Sequence, residues 1–132
     1  MPLPEFRPGF RFSFFDALIL LAGGFGSCLA WSKEGWVSLV IAFVVLHFFL
    51  FCNVFRIARA PELVWAAIFI ALAWCTVATG SPPWLVTVCL SLVMTVVLVV
   101  IEMRKPSYHG VGWSRVNPNL RQWWDRNVAE LS

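Results

Sequence analysis

Residues 36–55 read WVSLVIAFVVLHFFLFCNVF, 20 residues without a formal charge apart from the option of one on His47. The hydrocarbon core of a bilayer is about 30 Å thick, and roughly 20 helical residues cross it. The run shows no apolar/polar alternation, which excludes a barrel strand. In lipid a helix satisfies its own backbone groups, so a helix is what the stretch requires.

Three more runs lie around it: 14–31, which carries Asp16 near its start, 63–79 and 84–101. All fall within the working range of about 17–25 residues. They are separated by SKEG, RIARAPE and GSPP. Pro61 and Pro83 suit a helix first turn, where a missing amide proton costs nothing. Linkers this short make successive helices antiparallel neighbours. Composition agrees: 60% of the 132 residues are hydrophobic and 13% charged, against about 25% charged in a soluble domain. The expected fold is an all-α membrane protein. It is a four-helix up-down transmembrane bundle over 1–105 with a tail, 106–132, bearing a cytoplasmic amphipathic helix over 118–131.

Positive charge sets orientation. Arg7 and Arg11 precede the first run, Arg56 and Arg59 follow the second, and Arg104, Lys105, Arg115, Arg121 and Arg126 follow the fourth. Four spans put these nine on one side and Lys33 alone on the other. Both termini are therefore expected in the cytoplasm of a bacterial inner-membrane protein. Trp31, Trp36 and Trp84 then lie at the outer boundary and Trp65 near the inner one, as interfacial indoles do. The net charge of +3 reads as topology and headgroup contact. The dispersed cations give no nucleic-acid surface. FGSC at 25–28 has the outline of a lipoprotein cleavage site, but Phe25 fits it poorly, and no cleavage is expected.

His47 lies close to the expected midplane, where a polar group needs a protein partner. Haem b ligation is one use for it, with Met94 at matching depth on the fourth run as the second axial ligand. The plainer reading is a hydrogen bond to a neighbouring helix, with Met94 filling space. Bacteriochlorophyll ligation is disfavoured because Phe43, four residues earlier, crowds that face. No metal site is expected, since the two histidines lie at different levels.

Asp16, Asn53, Arg56, Glu62 and Glu102 all fall at the inner boundary, where pairs such as Asp16–Arg56 or Glu102–Arg56 are expected. Asp16 and Glu62 also suit helix N-termini. A proton or cation pathway would place acids deeper than these. Cys28, Cys52, Cys75 and Cys89, one per run, read as buried free thiols. Within LAGGFGSCLA, Ala22, Gly26 and Ala30 recur every four residues, as do Gly23 and Ser27. Such rows let helix backbones approach closely, either inside the chain or against another subunit.

In the tail, Asn117 is a candidate helix cap and Pro118 suits a first turn. Leu120, Trp123, Trp124, Val128 and Leu131 form one apolar stripe, suited to a membrane surface or a partner's groove. No phosphate loop, activated nucleophile or paired carboxylates appear. The expected function is accordingly non-catalytic: an accessory, structural or assembly subunit of a larger inner-membrane complex, with lipid and other membrane subunits as partners. The alternatives are a small haem b redox carrier using His47 and a small oligomeric transporter or channel.

Overall fold

A computed structural model describes residues 5–129. Among them the chain is helical without strands, in the order α1 (Phe14–Trp31), α2 (Gly35–Phe49), a π-helical turn (Leu50–Val54), α3 (Arg59–Thr79), α4 (Trp84–Met103), α5 (Trp113–Val116) and α6 (Leu120–Ala129). Four helices, α2 counted with its π-turn, are long and apolar enough to cross a membrane. The chain is a multi-pass membrane protein. It divides into two compact units, one holding α1, α2 and residues 109–112, the other holding α3, α4 and the rest of the tail.

The first unit is an antiparallel hairpin. Ser13 and Asp16 form a reciprocal capping box that starts α1: Asp16 Oδ2 accepts the Ser13 N–H at 2.6 Å, and Ser13 Oγ accepts the Asp16 N–H at 3.4 Å. Two otherwise orphaned amides gain partners. Gly23 then allows α2 to come close, because a Cβ on it would stand 2.6 Å from Val45 Cγ2. One turn further, Ser27 Oγ donates to Ser38 O at 2.9 Å and shares a proton with Ser38 Oγ at 2.8 Å. Nearer the linker, Ala30 O accepts the N–H groups of Lys33 and Glu34.

The far end of α2 widens into the π-turn, closed by Phe55 N–H to Leu50 O at 3.0 Å. Helix ends leave carbonyls without partners, and here other segments supply them. Arg11 N–H reaches Asn53 O at 3.1 Å, and Val111 N–H reaches Val54 O at 2.8 Å. The arm and the 109–112 loop are themselves joined by Gly9 N–H to His109 O at 2.7 Å.

The second unit is also an antiparallel hairpin, and its seam is polar. The α3 helix starts at Arg59, four residues before the expected apolar boundary at 63, since Pro61 falls among the first residues, which need no intrahelical donor. It ends at Gly80, whose left-handed φ of 71° lets its N–H return to Thr76 O. Thr76 Oγ1 lies 2.7 Å from Thr87 Oγ1 on α4 and 2.7 Å from Pro82 O. Deeper in, Trp65 stacks on Phe69 with ring centroids 5.3 Å apart. On α4 the buried residues are Thr87, Ser91, Thr95, Val99 and Glu102. The lipid-sized residues between them, among them Leu85, Leu90, Val93 and Val97, are exposed.

The tail packs as part of this second unit. Asn117 does not cap α6. Its Nδ2 donates to Pro106 O at 2.6 Å and Tyr108 O at 3.2 Å, pinning the turn after α4. The helix begins at Leu120, later than the expected 118, with Pro118 and Asn119 in the turn before it. Leu120 is fully buried and Tyr108 is 1% exposed. Phe6 packs edge-on against Trp113 and Trp124, and the Arg121 guanidinium lies 4.8 Å from its ring centroid. One correction concerns the cysteines. All four are free, but Cys28, Cys75 and Cys89 are exposed rather than buried, because the hairpins bury serine, threonine and aromatic side chains at their seams.

Candidate functional site

His47 is 8% exposed, on the last turn of α2. Its Nδ1 donates to Phe43 O at 2.8 Å. This partner is on its own helix, one turn back. The i−4 carbonyl lies within reach without any interhelical fit. With the proton on Nδ1, Nε2 carries the ring's lone pair. The imidazole lies 4.2 Å from the Phe43 ring centroid and meets Phe51 edge-on at 5.9 Å. Phe43, expected to crowd this face, is thus a supporting wall. Met94 is half-buried on α4, in the other unit.

The five polar residues expected at one boundary are divided between the two units. Glu62 pairs with Arg59 at 3.5 Å and Glu102 with Lys105 at 2.6 Å, both within the second unit. Asp16, Asn53 and Arg56 belong to the first. Asp16 serves its capping box, and Arg56 Nη1 donates to Arg7 O at 2.6 Å instead of forming the expected pair with Asp16. Arg56 has a left-handed φ of 49°, uncommon for a residue with a side chain. Burial, and after it the nearby positive charge of Arg11, shifts the Arg56 guanidinium below its ordinary value. Asn53 is 3% exposed, and its side-chain amide faces the Asp16 carboxylate without closing to full hydrogen-bond geometry.

The two small-residue rows of α1 are used differently. Gly23 and Ser27 are internal and receive α2. A Cβ on Gly26 would meet nothing within 4 Å, and Ala22 is exposed, with Ala30 half-buried. No residue of α1 is buried.

In the tail, Leu120 is taken up inside the second unit, so it is not available as the contact residue it was expected to be. It opens α6 directly after the Asn117 turn and points inward. Trp123, Trp124 and Val128 are half-buried, while Arg121, Gln122, Asp125, Arg126 and Asn127 are exposed. Leu131 lies outside the described residues.

The polar seam of the second unit is built from hydroxyls and an indole rather than from charges or histidine. Trp65 Nε1 donates to Thr95 Oγ1 at 3.0 Å and Ser91 O at 3.2 Å, while Ser91 and Thr95 hydroxyls return to carbonyls four residues back. The signal was present: Thr87, Ser91 and Thr95 recur every four residues in an otherwise apolar run. Every seam hydroxyl has a partner, which suits packing. Among the described residues no three His, Cys, Asp or Glu side chains group to hold a metal ion. The chain matches no protein-family model, no curated protein and no solved structure.

Proposed function

We propose that this protein is a non-catalytic accessory or assembly subunit of a larger inner-membrane complex, with both termini cytoplasmic, and that α1 is its docking helix. The observation that carries the reading is the open row on α1. Lipid tails are as apolar as leucine, so a lipid-facing helix needs no small residues. Small residues favour close backbone approach between helices. Gly23 and Ser27 already serve α2, whereas among the described residues nothing lies within 4 Å of a Cβ on Gly26, and Ala22 is exposed. The half-buried Trp123 and Trp124 give the tail a second contact, with headgroups or with the same partner.

Co-purification in mild detergent with Gly26→Ile and Gly23→Ile tests this. Gly26→Ile has space around it, so the protein should insert and fold while the partner subunits are lost. Gly23→Ile should instead weaken the hairpin itself, because its side chain meets Val45. Undiminished partners with Gly26→Ile, or no partner for the unaltered chain, overturn the reading.

A further inference from the structure

We propose that residues 7–14, where the arm meets α1, form a preformed lipid-anchoring surface. The Phe10, Phe12 and Phe14 rings enter the headgroup–acyl boundary of the leaflet in which α1 begins, and Arg7 and Arg11 attract anionic phospholipids to it. The surface is separate from the small-residue row proposed for docking, and its test contains no second protein.

The arm is fastened at three points. Gly9 N–H donates to His109 O at 2.7 Å, Arg11 N–H donates to Asn53 O at 3.1 Å, and Arg56 Nη1 donates to Arg7 O at 2.6 Å. Between these bonds Gly9 takes a φ of 99°, which a residue without a Cβ adopts freely. Past this bend Phe10 and Phe12 lie near-parallel, with ring centroids 6.5 Å apart. Both meet Phe49 of α2 edge-on, at 6.0 and 6.1 Å. A segment fixed in advance gives up less conformational freedom on binding than a loose one.

The contact with Phe49 leaves much of both rings uncovered. Phe10 is 57% exposed, Phe12 55%, and Phe14, the first residue of α1, 75%. Clustered exposed apolar side chains mark a contact surface. Lipid is the occupant because the cluster runs on into a span: Phe14 opens α1, which is long and apolar enough to cross a membrane. The end of such a helix lies at the headgroup layer. Aromatic rings beside arginines suit that layer, the rings reaching the acyl boundary and the cations meeting anionic lipid. The charge balance agrees. Arg7 and Arg11 are exposed, and the one acid in 7–16 is Asp16, whose carboxylate accepts the Ser13 N–H at 2.6 Å. A protein partner would have to displace lipid that the adjoining span already brings to the rings.

The test uses the full chain in nanodiscs of phosphatidylcholine mixed with phosphatidylglycerol. Phe12→p-benzoylphenylalanine places a photoreactive ketone on the ring, and adducts are identified by mass spectrometry after illumination. Phospholipid adducts should form, and phosphatidylglycerol should be over-represented among them relative to its share of the bilayer. Adding Arg11→Gln should lower that preference roughly fivefold, the equivalent of about 1 kcal/mol per basic residue, while lipid adducts still form. Lys33→Gln, in the linker at the opposite end of the same hairpin, should leave the preference unchanged. Phe10→p-benzoylphenylalanine repeats the measurement if the substitution at Phe12 disturbs folding. The absence of lipid adducts from both positions, or adducts with a second copy of the chain in place of lipid, overturns the proposal. So does a phosphatidylglycerol share equal to that of the bilayer, or an equal loss of preference with Lys33→Gln.

Discussion

Trp65 on α3 gives its indole N–H to Thr95 Oγ1 on α4 across 3.0 Å, in a part of the hairpin where both residues are buried. Lipid cannot replace that acceptor. Trp65→Phe keeps a ring against Phe69 and deletes the donor; Thr95→Val deletes the hydroxyl at similar volume. Interhelical polar bonds in membranes average about 0.6 kcal/mol and reach ~1.7 kcal/mol. A double-mutant cycle, with unfolding measured in mixed micelles, should return a coupling in that range. The indole also reaches Ser91 O at 3.2 Å, so Thr95→Val alone should cost less than Trp65→Phe. A coupling indistinguishable from zero would show that shape alone joins the two helices.

That bond also marks how far the sequence could be read. The number of long apolar helices was legible because length and apolarity are properties of each run by itself. Residues 36–55 declared a span with no help from any other segment. The seam was legible only as a rhythm at Thr87, Ser91 and Thr95, and such residues blend into an apolar run because each bonds its own helix. The Asn53 environment was not legible. It depends on an arm returning more than 40 positions along the chain to place the Arg11 amide on Asn53 O. Nor did the stripe in α6 reveal that Leu120 would be consumed inside its own unit, since that follows from the Asn117 side chain fixing the preceding turn.

His47 offers a test of the redox alternative. The Nδ1 bond to Phe43 O stays within α2, so His47→Ala should lower stability by no more than the ~1.7 kcal/mol seen for the strongest membrane polar contacts. The purified wild type should show no haem absorption. A Soret band in the wild type that disappears in His47→Ala or Met94→Ala would replace the accessory-subunit reading with a haem b carrier.

Orientation rests on the nine cations that four spans place opposite Lys33. Reporter fusions after Lys33 and after Ser81 should map outside, and those after Arg59 and Ser132 inside. The positive-inside bias counts charges close to span ends, which Arg56, Arg59, Arg104 and Lys105 satisfy. An outside C-terminus would reverse the assignment.

Tyr108 makes tail docking sensitive to alkali. It is 1% exposed, and burial, followed by the negative charge of Glu102, pushes its phenol above the ordinary value. The folded tail therefore holds the phenol proton more tightly than a loosened one does. Docking is undiminished below the ordinary tyrosine value of about 10. Above it, docking weakens by up to about 1.4 kcal/mol per pH unit, until the folded phenol also ionises. Amide exchange across 113–129, corrected for its intrinsic pH dependence, should accelerate in that window while α3 and α4 remain protected. The control is Tyr108→Phe, which retains the ring and has no proton to lose. The variant should remove the alkaline step. An unchanged step in Tyr108→Phe would show that the phenol does not set the alkaline loosening.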